Sequence, residues 1–183
     1  MSPLLRFDAV ALRRGGRLLF EDLDLELQPG GTLQVTGPNG SGKSSLLRLA
    51  AGLLRPERGG VQRLALALAD DALALDRELP LARALQFWRG DVASAMDALG
   101  IAYLANVPVR LLSSGQAKRA TLARVAASGA PLWLLDEPLN ALDQDGASRL
   151  DVLIGRHLAG GGGVLAASHQ PLPGEWRRLE LER

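Results

Sequence analysis

The chain has 183 residues, 47% hydrophobic and 22% charged, with 21 basic side chains against 20 acidic ones and a formal net charge of +1. That balance suits one folded domain over residues 1–183 and argues against disorder, and it lacks the basic excess of a nucleic-acid binder. There is no cysteine, which excludes disulfides, thiol catalysis and thiolate metal sites. No apolar run reaches the ~20 residues of a membrane span, and the N-terminus has no signal-peptide core, so the chain is expected to stay where it is made.

The first 36 residues are expected to form strands joined by turns. Leu23, Leu25 and Leu27 alternate with Asp24 and Glu26, the period of a half-buried strand. Pro29-Gly30-Gly31 turns the chain into a strand over Thr32–Thr36. Next comes Gly37-Pro38-Asn39-Gly40-Ser41-Gly42-Lys43-Ser44-Ser45. Its glycines permit a tight path whose backbone N–H groups can wrap phosphate oxygens, and the following helix turns its positive end towards them. In that setting Lys43 bridges the outer phosphates and the Ser44 hydroxyl ligates Mg²⁺. Lysine occurs only at 43 and 118, so an otherwise arginine-using chain keeps a compact ammonium for this loop. Leu46, Leu47, Leu49, Ala50, Leu53 and Leu54 recur at helical spacing, and the helix is expected to run until Pro56.

Val61–Leu75 is mostly Leu and Ala around Asp70-Asp71 and reads equally as strand or helix. Leu81–Leu99 is expected to be one helix, with Leu85, Trp88, Val92, Ala95, Met96 and Leu99 sharing a face. Ser113-Ser114-Gly115-Gln116 opens a further helix; either serine can cap it, and its free N–H groups form an anion site. Pro131–Leu135 is a continuous apolar run, as in a parallel strand buried on both faces. Asp136-Glu137 closes it at the end where α/β sheets carry their sites, making Asp136 a candidate Mg²⁺ ligand and Glu137 a candidate general base. Gly146–Leu158 reads as a helix and Val164–Ala167 as another buried strand, followed by Ser168-His169; His157 lies in the helix without a partner motif. Alternating strands and helices argue for an α/β core with a largely parallel sheet.

The Gly loop, then Leu112–Gln116, then Asp136-Glu137, Asp143 and His169, in that order, resembles the ATP-binding cassette ATPases over nearly the whole chain. The resemblance implies a P-loop NTPase core with an N-terminal antiparallel β subdomain and a small helical subdomain over roughly residues 76–128. It implies ATP bound by residues 37–45, Mg²⁺ on Ser44 and Asp136, Glu137 as catalytic base, His169 orienting it, and Asp143 in the D-loop. Ser113, Ser114, Gly115 and Gln116 would complete the site of a second copy in a head-to-tail ATP-sandwich dimer. Leu132–Pro138, Asp143–Gly146, Ser168–Leu172, Glu78-Leu79 and Leu85–Trp88 are further similar to ATP-binding subunits of the haem exporters of cytochrome c maturation. That similarity implies an integral membrane permease as partner, no nucleic acid, and a peripheral place on the cytoplasmic face of a bacterial inner membrane. Another exporter using the same engine, or a non-transport cassette protein of low turnover, stays open.

The chain departs from that pattern at four places. Ser114 stands where glycine is usual. Ala72 stands where relatives carry a Mg²⁺-ligating glutamine, leaving Asp70 or Asp71 as substitutes. The segment after Val61 is short, implying a lost edge hairpin. Arg13 and Arg14 occupy the region of the usual adenine-stacking aromatic, where an arginine plane can stack instead.

Overall fold

A computed structural model describes residues 2–88 and 90–182. Strands β1 (Leu5–Arg14) and β2 (Arg17–Leu27) form an antiparallel hairpin turned at Gly15-Gly16, both with the positive φ that so short a turn requires. β4 (Arg58–Arg63) pairs with the other side of β1, giving a three-stranded layer in the order β2-β1-β4. Only Leu64 and Ala65 separate β4 from β5 (Leu66–Ala69), too short a link for another hairpin, as the sequence implied.

β5, β6 (Leu132–Asp136), β7 (Gly163–Ala167), β3 (Thr32–Thr36) and β8 (Arg177–Glu180) make a second, wholly parallel sheet in that order. Every residue of β6 and β7 is buried, as both faces of a central parallel strand must be. Their side chains alternate between two cores. Leu132, Leu134, Leu165 and Ala167 join Leu5, Phe7 and Leu33 with Leu46 and Leu47 of α1 (Lys43–Ala50), between the two sheets. Trp133, Leu135, Val164 and Ala166 face the helical side, where α2 (Leu81–Gln86), α3 (Val92–Ala98), α4 (Ser114–Ala127) and α5 (Gln144–Ala159) pack.

Three expectations need correction. α1 stops at Ala50 instead of reaching Pro56. Gly52 takes φ 76°, outside the helical region, so the chain leaves the helix there and Leu53 is exposed to water. Leu81–Leu99 is two helices. A Cβ at Gly90 would lie 1.5 Å from the Ala127 carbonyl oxygen, and Asp91 caps α3 by accepting the Ser94 N–H at 3.0 Å; Arg89 falls outside the described residues. Val61–Leu75 is neither one strand nor one helix: it finishes β4, forms β5 and then turns. Residues 76–128 contain α2, α3 and α4, with two short 3-10 turns between α3 and α4. Among the described residues no helix is long and apolar enough to cross a membrane.

Candidate active site

β3, β6 and β7 lie side by side, and the loops leaving their C-terminal ends build the site. The Gly loop leaves β3. At Gly37 φ is 138° and a Cβ would lie 2.4 Å from the Leu181 carbonyl oxygen, so glycine alone lets the loop pass the chain beyond β8. Gly42 precedes α1, whose first turn carries Lys43, Ser44 and Ser45 and no acid. The largely buried Lys43 ammonium donates to the carbonyls of Gly37 (2.8 Å) and Pro38 (3.1 Å). The Ser41 hydroxyl is buried with no protein partner. Asn39, Gly40, Gly42, Lys43, Ser44 and Ser45 line one wall of a cleft of about 650 Å³, and Arg14, Leu19 and Glu137 also line it.

Asp136 ends β6, and its carboxylate lies close enough to the Ser44 hydroxyl for that group to act on its pKa. Two candidate Mg²⁺ ligands therefore meet, both hard oxygens of the kind Mg²⁺ selects. Burial pushes the Asp136 carboxyl above its ordinary range. The nearby Ser44 hydroxyl pulls it back, Asp71 and Glu137 add like-charge repulsion, and Lys118 opposes them.

Glu137 continues the ladder with its N–H on the Ala167 carbonyl at 2.8 Å, but at φ 43°. Left-handed backbone costs a non-glycine residue about 1–3 kcal/mol and clusters at functional sites. Here it sets the carboxylate in the Gly-loop cleft, with Oε2 2.9 Å from His169 Nδ1. Gln34 holds the loop that presents His169: its amide nitrogen donates to the carbonyls of Gln170 (2.8 Å) and Ser168 (3.4 Å). Gln34 is absent from the sequence candidates, although an amide between Leu33 and Val35 in a buried strand is a visible signal.

Ser113 is the cap of α4. It accepts the Gln116 N–H at 3.3 Å, and the Gln116 side chain accepts the Ser113 N–H at 2.9 Å, closing a reciprocal capping box. Ser113, Gly115, Gln116 and Asp143 line a different cleft, of about 440 Å³, together with Tyr103 and Arg119. Asp143 caps α5 through the Gly146 N–H at 2.9 Å and pairs with Arg119. The Gly146 bond first, and Arg119 second, hold its carboxyl below the usual range. Within one copy the structure thus brings the Gly loop, Asp136, Glu137 and His169 together and leaves the α4 start and Asp143 elsewhere.

Ser114 shares a third cleft with Asp70, Asp71 and Lys118. Asp70 accepts the Ala72 N–H at 3.1 Å within its own turn, and Asp71 acts on Asp136 and Lys118 through its charge; neither lines the Gly-loop cleft. Lys118 is a second residue outside the sequence candidates. Its ammonium donates to the Asp136 carbonyl at 3.1 Å, and burial lowers its pKa. His157 stacks on Trp133 with ring centroids 3.8 Å apart, and burial pushes its imidazole down; it serves the packing of α5 on β6.

A profile of the ABC transporter family matches residues 20–140. The chain is 56% identical over 177 residues to the cytochrome c biogenesis ATP-binding export protein CcmA of Sphingopyxis alaskensis, covering 92% of this chain and 91% of that protein. It is 57% identical over 166 residues to the protein of the same name from Novosphingobium aromaticivorans, covering 89% and 87%. Its fold is similar to that of a solved ATP-binding subunit of an ABC transporter, with a TM-score of 0.83 at 20% identity, over 91% of this chain and 79% of that one.

Proposed function

The chain belongs to the ABC transporter family, and from that premise we propose that it hydrolyses ATP at a site shared between two copies and so drives a membrane permease. The Gly loop and the start of α1 bind the phosphates, with Lys43 neutralising the outer ones. The buried Lys43 and the unpartnered Ser41 hydroxyl support this reading, because both groups gain partners from phosphate oxygens. Ser44 and Asp136 hold Mg²⁺, which when bound offsets charge on the phosphate oxygens.

Glu137 takes the proton of the attacking water, and His169 keeps its carboxylate aimed by the bond from Nδ1. The second copy contributes Ser113, Ser114, Gly115 and Gln116, the N-terminal turn of α4, whose free N–H groups suit a γ-phosphate. Asp143 sits beside them, in the cleft away from its own Gly loop. Binding closes the pair and hydrolysis reopens it, a two-state cycle that a membrane partner can follow.

The task we propose is export for c-type cytochrome assembly, with haem as the cargo, an integral permease as partner and a peripheral place on the cytoplasmic face of the inner membrane. It is supported by the naming of relatives that match nearly full length. The 2.9 Å contact between Glu137 and His169 on the Gly-loop cleft carries the hydrolytic reading. Glu137→Gln preserves shape but cannot accept a proton. It is expected to bind ATP as before, to lose turnover by about 10²-fold or more, and to accumulate as an ATP-bound dimer in size-exclusion chromatography. Hydrolysis by that variant near the wild-type rate would remove Glu137 from the role of base.

A further inference from the structure

A purine base is a flat π surface, and proteins hold it by stacking a ring or a guanidinium plane on it. Among the described residues that line the Gly-loop cleft there is no aromatic ring. Arg13 is turned aside, paired with Glu57 at 3.3 Å and donating to the Gly16 carbonyl at 3.1 Å. Arg14 lines the cleft and offers the base one planar face. For the other face, the described residues lining this cleft offer no ring.

A ring waits in the second cleft. Tyr103 sits in the 3-10 turn Ala102–Leu104 and is 73% exposed, in a chain whose other tyrosine count is zero. Its hydroxyl accepts a hydrogen bond from Gln116 Nε2 at 3.3 Å, and Gln116 is itself fixed by the capping box with Ser113. An exposed aromatic held in place by a locked amide is prepared for a contact outside its own copy. Gly115, Gln116 and Tyr103 line one cleft, and the Gln116 bond reaches towards Tyr103. In the shared site this order would set Gly115 towards the γ-phosphate and Tyr103 farther along the nucleotide.

We propose that Tyr103 stacks on the adenine bound by the second copy, opposite the Arg14 plane of the copy that holds the phosphates. The assignment rests on the shared-site reading given above. It makes base binding, as well as catalysis, depend on the pairing of two chains. ATP then senses the closed pair through its base as well as its γ-phosphate.

Mixed pairs separate the possibilities. A Lys43→Ala chain lacks a working Gly loop, and a Gly115→Asp chain cannot complete its partner's site. Their mixed dimer therefore has one working site, with the loop from the Gly115→Asp chain and the α4 start from the Lys43→Ala chain. Tyr103→Ala added to the Lys43→Ala chain is expected to raise the KM for ATP about tenfold, since stacking of a base on a ring is worth roughly that factor or more. The KM for GTP should rise by a similar factor, because every base has a π face. Tyr103→Phe in the same chain keeps the ring and should keep most of the affinity. Tyr103→Ala in the Gly115→Asp chain faces the dead site and should leave KM where it was. An equal rise from either placement, or no rise from either, overturns the stacking assignment and leaves the shared site standing. If the parent pair itself recovers no hydrolysis, the shared site falls and the stacking assignment falls with it.

Discussion

Glu137 shows how much of the chemistry is set within one residue. Its backbone φ of 43° departs from the strand it follows, and the carboxylate meets His169 because of that departure. Residue type and order alone point to Glu137 and His169, while the strained backbone that brings them together is invisible in the sequence. Asp136 supports a prediction about stability. Burial, the largest cause, raises its carboxyl above the ordinary value of 3.8, so the folded chain holds a carboxylate that it would hold more easily as the neutral acid. A group whose pKa is raised by folding favours the fold most below its unfolded pKa, and that support is lost as pH rises through the folded pKa. At neutral pH the ionised Asp136 therefore works against the nucleotide-free fold. Asp136→Asn should raise the thermal midpoint of the nucleotide-free chain at neutral pH while removing its dependence on Mg²⁺. The gain should shrink as pH falls through the raised pKa and vanish below 3.8. A lower midpoint for the variant at neutral pH would contradict the burial argument.

Among the elements, α4 joins the proposed shared site to the body of the fold. Lys118 reaches the Asp136 carbonyl, Arg119 reaches Asp143, Asp145 and the Leu99 carbonyl, and Arg124 reaches the Leu68 carbonyl at 2.5 Å. Arg124 is 4% exposed, lies 4.9 Å over the Trp88 ring, and leaves its Nε without a partner. Arg124→Ala removes the stem that fills this space and should cost about 3 kcal/mol of unfolding free energy in urea titration. Arg124→Met keeps much of the volume and sheds the buried charge, so its cost should be about 1 kcal/mol or less. Equal losses from both would mean that the charge, not the packing, is what the helix needs. Periodicity makes α5 readable because it is long and buries one face through Leu150 and Ile154, whereas α4, buried all round over residues 120–125, is read from its serine cap. α1 and the α2–α3 pair are misjudged at their ends because Gly52 takes a left-handed turn that the apolar spacing does not show, and because the Ala127 backbone, from a distant part of the chain, crowds Gly90. β8 escapes notice for a different reason: Arg177, Arg178 and Glu180 face water at a sheet edge and carry no apolar period.

Across the whole molecule the candidate groups fall into separate clefts, Ser114 in a third, and that division is the observation behind the proposed shared site. The Gly loop with Asp136, Glu137 and His169 occupies one region, and Ser113, Gly115, Gln116 and Asp143 line the other. The order of motifs along the chain is legible in the sequence; their separation in space requires the fold, since β5 and α4 pass between them in the chain's path. An ATPase with all its groups in one copy would hydrolyse at a fixed rate per chain at any dilution. The most direct measurement mixes Lys43→Ala chains with Gly115→Asp chains in equal amounts and follows phosphate release. Each chain alone should be inactive. Random pairing leaves half the dimers mixed, each with one working site of two, so the mixture should recover about a quarter of the wild-type rate. No recovery on mixing, with wild-type hydrolysis per chain constant down to monomeric dilution, would contradict the shared site.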